Sequence, residues 1–101
     1  MKELEEFEYV NSLYNVYGEL LTDSQKYIVE QYYVYNLSLT EISEGENITR
    51  TAVSDCLKKS INKLKKYEEA LCILEKTKQI DELLDKVDCS EDIKKRIREI
   101  L

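Results

Sequence analysis

The chain has no histidine, proline or tryptophan, and its only glycines are Gly18 and Gly45. Without histidine, Ser–His and Cys–His catalytic pairs are excluded. No other catalytic constellation can be recognised, so we expect a protein that is not an enzyme. No apolar run reaches the roughly 20 residues of a membrane span, and the acidic N-terminus does not resemble a signal peptide. We therefore expect no membrane insertion.

The three cysteines, Cys56, Cys72 and Cys89, are odd in number and widely spaced. A zinc site needs clustered ligands and a secreted disulfide framework needs pairs, so neither is predicted. We expect reduced thiols, a cytoplasmic protein and no metal or other cofactor. Few helix breakers, together with many Glu, Lys, Leu and Ile residues, predict an all-α fold.

Charge is distributed very unevenly along the chain, whose formal net charge is −6. Residues 1–49 contain two lysines and ten acids, whereas residues 50–66 contain six basic residues and one acid. Residues 67–101 contain seven basic and ten acidic residues. A basic segment in an acidic protein is where phosphates would bind. The alternative is that it forms the solvated face of a charged helix.

The stretch from residue 38 to residue 66 predicts two helices joined by a short turn. Ser38 and Glu41 form a capping-box pair at the start of the first helix. Residues 45–47, Gly-Glu-Asn, favour a helix end, because glycine and asparagine tolerate a left-handed backbone. We expect Ile48 to fill the turn and Thr49 to cap the second helix. This layout is typical of a helix-turn-helix reader of nucleic acid.

The second of these helices has one apolar and one polar face. The apolar face is formed by Ala52, Val53, Cys56 and Leu57. The polar face carries Arg50, Thr51, Ser54, Asp55, Lys58 and Lys59. We predict that Thr49 and the helix N-terminus hold a phosphate. We further predict that Arg50, Thr51, Ser54 and Asp55 face base edges, and that Lys58, Lys59 and Lys63 bind backbone phosphates.

Two amphipathic helices are predicted before this motif. The first covers residues 2–20 and breaks near Gly18. The second starts with Thr22 and Gln25 as another capping box and ends near Asn36. Tyrosines recur through both, and their helical spacing among acids favours core or subunit contacts over stacking on single-stranded nucleic acid.

The helix that begins near Arg50 has no stop signal until about Lys78, so we predict a long continuing helix. Its apolar stripe is too long for a small helix-turn-helix core to cover, so dimerisation or packing contacts are predicted. The residues assigned to them are Leu64, Tyr67, Leu71 and Leu74. The stripe could be covered by the C-terminal segment folding back, by a second subunit, or by both.

The remaining chain predicts a short helical stripe from Ile80 to Val87 and a last amphipathic helix capped by Ser90. We therefore divide the chain into a helix-turn-helix domain, residues 1–66, and a helical extension, residues 67–101. The extension is assigned to dimerisation or packing.

With these residues described, the chain resembles the YlxM or p13-like family of small bacterial helix-turn-helix proteins, and more distantly region 4 of sigma factors. The resemblance covers about residues 7–79. The stretches that carry it are Leu20-Leu21-Thr22 with Gln25, Tyr32-Tyr33, Ser38-Leu39 with Glu41-Ile42, Thr49-Arg50 with Ala52-Val53, and Tyr67-Glu68-Glu69 with Leu71. Ser43 and Glu46 depart from the pattern, which usually has alanine and a large apolar residue there. A buried charge is costly, so either Glu46 points outward or the turn is rearranged.

The resemblance implies an all-α fold, often dimeric, and a DNA-binding regulatory role. It also implies an association with the signal recognition particle pathway. Two alternatives remain open. One is a protein-interaction module that acts on the targeting machinery without sequence-specific DNA binding. The other is a protein that binds the particle's RNA through the same basic helix.

Overall fold

The structure, a computed structural model, describes residues 4–101 and confirms the all-α fold. These residues form six α-helices: α1 Leu4–Tyr17, α2 Asp23–Val29, α3 Leu39–Glu46, α4 Arg50–Leu71, α5 Ile73–Lys86 and α6 Glu91–Ile100. A 3₁₀ turn, Gly18–Leu20, follows α1, and one turn of π-helix, Glu30–Val34, extends α2. Residues 2 and 3 of the predicted first helix lie outside the described residues. None of the described helices is both long and apolar enough to cross a lipid bilayer.

The chain divides into two compact units, one ending at Leu71 and the other comprising Cys72–Leu101. In the first unit, α4 packs against α1, α2 and α3. The core consists of Val10, Leu13, Tyr17, Leu21, Ile28, Val29, Tyr33, Ile42, Val53, Leu57 and Leu64. The α4 helix is therefore the central element of this unit, with its inner face buried and its outer face left to solvent.

Local hydrogen bonds fix the helix starts as predicted. The capping boxes at Thr22 and Ser38 both form, with Gln25 and Glu41 completing them. Asn36 ends the α2 extension in a left-handed conformation with φ 58°. Because each cap pairs residues only three positions apart, its geometry depends little on the rest of the fold.

Gly18 directly follows α1, and the position requires glycine for a steric reason rather than a torsional one. Its φ is not positive, but a Cβ at this position would lie 2.8 Å from Cε1 of the Tyr14 ring. The Tyr14 hydroxyl donates a 2.5 Å hydrogen bond to Glu30 on the π-helical turn. Burial, followed by this bond, raises the pKa of Tyr14 above its usual value. Only glycine at position 18 leaves room for the Tyr14 ring in this position.

The helix from Arg50 ends at Leu71, so the predicted end near Lys78 is wrong. Cys72 takes a left-handed conformation with φ 55°, and α5 starts directly after it. Cysteine has no special preference for this conformation, which costs a non-glycine residue roughly 1–2 kcal/mol. Sequence composition therefore gave no sign of the break. The long continuing helix itself is confirmed over Arg50–Leu71.

In the second unit, α5 and α6 are connected by polar contacts and bury few side chains. The Ser90 side chain accepts a hydrogen bond from the Ile93 amide, which confirms the predicted cap. Arg98 on α6 binds Asp81 at 2.9 Å and Asp85 at 2.8 Å on α5. Leu84 is the only buried side chain of this unit.

Candidate nucleic-acid interface

The turn between α3 and α4 sets the start of the candidate interface. Asn47 ends α3 in a left-handed conformation with φ 57°, and the Ile48 amide donates to the Ser43 carbonyl at 3.0 Å. The Thr49 hydroxyl then accepts a 3.0 Å hydrogen bond from the Ala52 amide, which confirms it as the cap of α4. The tight turn therefore fixes the direction in which α4 leaves α3.

The structure shows where Ile48 and Glu46 lie around the turn. Ile48 is 43% exposed, so the expectation that it fills the turn is wrong; it lines an open cleft of about 470 Å³ instead. Glu46 points outward, which settles the two alternatives left open for it. The Tyr27 side chain hydrogen-bonds to Glu46, and this bond raises the pKa of the tyrosine.

The structure places most of the predicted polar face in solvent. Arg50, Thr51, Asp55, Lys58 and Lys59 are exposed. Ser54 and Lys63 are half-buried. On the inner face, Val53 and Leu57 are buried, Cys56 is half-buried and Ala52 is exposed. The apolar face is thus one residue narrower than predicted, because Ala52 lies outside it.

Two shallow grooves meet at the start of α4. The first, of about 340 Å³, is lined by Leu39, Arg50, Thr51, Ser54, Asp55 and Lys58. The second, of about 320 Å³, is lined by Tyr32, Asn36, Ser38, Leu39, Thr40, Glu41 and Arg50. Leu39 and Arg50 line both, so polar side chains extend from the start of α3 to the outer face of α4. Tyr32 and Thr40 were not predicted to lie on this surface, although both line the same groove as the capping residue Ser38.

The basic residues of α4 are not neutralised within the described part of the chain. Over residues 4–101, salt bridges connect Lys26 with Glu19, Lys94 with Glu91, and Arg98 with Asp81 and Asp85. None of them involves a basic side chain between residues 50 and 66. The positive charge of this segment is therefore available to an external anion.

The residues predicted for dimerisation or packing have different environments. Leu64 is fully buried inside the first unit, and Tyr67 stacks on Tyr17 with ring centroids 6.0 Å apart. Leu71 is 47% exposed, and Leu74 on α5 is half-buried. Leu64 and Tyr67 thus pack within their own unit, while Leu71 retains apolar surface.

Glu68, which interrupts the apolar stripe of the sequence, has a specific partner. It accepts a 2.6 Å hydrogen bond from the hydroxyl of Tyr17, a residue that is only 1% exposed. The carboxylate provides a hydrogen-bond acceptor for this buried phenol. The two residues are 51 positions apart, so no local pattern could have revealed the pair.

Comparison with known proteins connects this geometry to a family. The model of the family described as "Putative helix-turn-helix protein, YlxM / p13 like" matches residues 4–101. A UPF0122 protein of Ureaplasma parvum serovar 3 is 41% identical over 87 residues, which cover 86% of this chain and 88% of the relative. Another from Desulforamulus reducens is 45% identical over 76 residues, covering 75% and 65%. A third, from Listeria innocua serovar 6a, is 40% identical over 79 residues, covering 78% and 72%.

Proposed function

This chain belongs to the YlxM / p13-like family of helix-turn-helix proteins, and we propose that it is a regulatory protein that binds duplex DNA through the outer face of α4. The start of α4 and Thr49 hold a backbone phosphate. Arg50, Thr51, Ser54 and Asp55 face base edges in the major groove. Lys58, Lys59 and Lys63 bind phosphates and fix the register of the helix on the duplex.

One observation carries this proposal. The basic segment of an otherwise acidic chain lies on a single helix, stands directly after a helix-turn-helix turn, and has no acidic partner among residues 4–101. Ion pairing would have left the lysines with little attraction for phosphate. As they stand, they form a positive surface next to a polar groove of about 340 Å³.

A fluorescence-anisotropy titration of a labelled duplex at several salt concentrations tests the proposal. We compare wild type with the double variant Arg50→Gln/Lys58→Gln. The matched control is Lys95→Gln/Arg96→Gln, which removes the same charge from exposed positions on α6. We expect the α4 variant to lose roughly tenfold or more in affinity and to reduce the salt slope by about one to two, while the control changes little. Equal losses in both variants would contradict the proposed site.

We also propose a cytoplasmic homodimer in which the extension, residues 67–101, supplies subunit contacts. Leu71, Leu83 and Ile100 are large apolar side chains with substantial exposure, and burying them would supply hydrophobic free energy. The division of the chain at residue 66 stays a prediction. Light scattering of wild type and of Leu83→Glu/Ile100→Glu should show a dimer in the first case and a monomer in the second.

The resemblance to the YlxM family supports a role in the signal recognition particle pathway as the alternative proposal. In that case the chain binds a component of the targeting machinery, or its RNA. The exposed apolar side chains Leu4, Tyr9 and Leu20 lie in the acidic N-terminal half and favour a protein contact. Pull-down of the particle's GTPase in the absence of nucleic acid would favour this function. Competition between duplex DNA and the particle RNA separates the two nucleic acids.

A further inference from the structure

Asp55 is the one acidic residue in the segment 50–66, and it lies on the face that would approach phosphate. No structural role accounts for it. Thr49 already caps α4. The helix dipole favours an acid only within the first helical turn, and Asp55 lies beyond it. Aspartate also has a low propensity for helix interiors. Its presence therefore weakens both α4 and the positive surface.

The carboxylate of Asp55 is not neutralised by its neighbours. Lys58 and Lys59 follow three and four residues later, the spacing at which ion pairs form on a helix. No salt bridge joins them to Asp55 in the part of the chain that the structure describes. The side chain is exposed and lines the same groove as Arg50 and Thr51. It thus presents hydrogen-bond acceptors four residues, just over one helical turn, beyond Thr51.

The base edges of the major groove differ in what they offer a carboxylate. Cytosine presents an N4 amino donor and no acceptor, whereas adenine pairs its donor with the N7 acceptor. Guanine and thymine present acceptors, which repel a second acceptor. An acid here therefore lowers the affinity for most sequences and is compensated only where a donor faces it.

We propose that Asp55 is a specificity-determining residue that selects cytosine at one position of the DNA site. This inference rests on the proposed function, since it concerns the same face of α4. Asp55 acts by rejecting wrong sites as much as by binding the right one. A good base contact discriminates by roughly 5- to 150-fold, and a single donor–acceptor contact belongs near the lower end, about 5- to 30-fold.

The test is selection of binding sites from a randomised duplex library by wild type, Asp55→Ala and Asp55→Asn. Glu44→Gln is the matched control, because it removes one exposed negative charge from α3. The wild-type and Glu44→Gln sites should share a cytosine at a fixed position. Replacing that C·G pair by T·A should cost wild type about 5- to 30-fold and Asp55→Ala less than about twofold. Asp55→Asn should shift the preference toward adenine, which asparagine recognises through N6 and N7.

Two results overturn the inference in distinguishable ways. If Asp55→Ala keeps the cytosine preference and merely binds every duplex more tightly, Asp55 is a solvated charge and only this inference fails. If wild type binds no duplex from the library at moderate salt, the proposed function fails and the inference fails with it.

Discussion

The two compact units of this chain are stabilised in different ways. Among the described residues of the first unit, six are completely inaccessible to solvent: Val10, Leu13, Val29, Val53, Ser60 and Leu64. In the second, Leu84 is still 8% exposed, and Leu83 beside it is 61% exposed. The first unit therefore has a core that can hold α4 rigidly, whereas the second depends on surface ion pairs and on whatever covers its apolar residues. A rigid support is what a reading helix needs.

Truncation of one leucine in each unit should show the largest difference. We expect Leu64→Ala to lower the free energy of unfolding by about 2–5 kcal/mol, because it leaves a cavity in a fully buried site. Leu83→Ala, the matched change at an exposed leucine, should cost about 0.5 kcal/mol or less in the monomer. Urea unfolding followed by circular dichroism measures both, at a protein concentration low enough to keep the chain monomeric, because Leu83 lies in the proposed dimer contact. Equal costs would mean that the second unit has a core of its own.

This contrast also shows what could be read from the sequence. The caps at Thr22, Ser38, Thr49 and Ser90 were predictable, because each pairs with an amide three residues away. The break at Cys72 and the exposure of Ile48 were not, because tertiary packing rather than residue type decides them. The outward position of the basic face followed from helical periodicity. The groove contributed by Tyr32 and Thr40 required the packing of α2 and α3 beside α4.

Breaking a buried hydrogen bond should cost more stability than breaking an exposed ion pair. Tyr17→Phe removes the hydrogen bond to Glu68 beneath a nearly inaccessible ring, and we expect it to cost about 1.5–3 kcal/mol. Tyr9→Phe changes an exposed tyrosine and serves as the control. Arg98→Gln breaks the exposed ion pairs between α5 and α6. We expect it to cost less than Tyr17→Phe and to lose its effect in high salt. The measurement is again urea unfolding, at low and high ionic strength. An Arg98 effect larger than that of Tyr17 would reverse the comparison.

Loss of tyrosine protons at alkaline pH should destabilise the first unit, since every tyrosine of the chain lies within it. Burial raises the pKa of Tyr33 to about 12, from about 10 in the unfolded chain. The folded state therefore holds its proton more tightly, so stability is fully present below pH 10 and is lost as the pH rises toward 12. We expect a loss of about 1–2 kcal/mol from Tyr33, with Tyr14 adding to it in the same direction.

Urea unfolding between pH 9 and 11 measures this loss, and Tyr33→Phe is the control. The variant should have a shallower pH dependence than wild type. Identical slopes would show that Tyr33 titrates normally in the folded protein.

The two glycines of the first unit should give the smallest effects, with opposite signs. An alanine at Gly18 would press its Cβ against the Tyr14 ring, and we expect a loss of about 1 kcal/mol in the free energy of unfolding. Gly45, inside α3, has open space and no positive φ, so Gly45→Ala should add about 0.5–1 kcal/mol. Thermal unfolding of both single variants detects these shifts. Stabilisation by Gly18→Ala would mean that the Tyr14 ring can move aside.

The central claim is that the outer face of α4, held by the core of the first unit, binds duplex DNA. Titration of the ¹⁵N-labelled protein with an unlabelled mixed-sequence duplex tests it residue by residue through amide chemical shifts. The largest changes should fall on residues 49–59 and on Leu39 at the edge of the groove, with the amides of α5 and α6 nearly unchanged. Changes concentrated on α1 or on the second unit, with residues 49–59 unaffected, would contradict the claim.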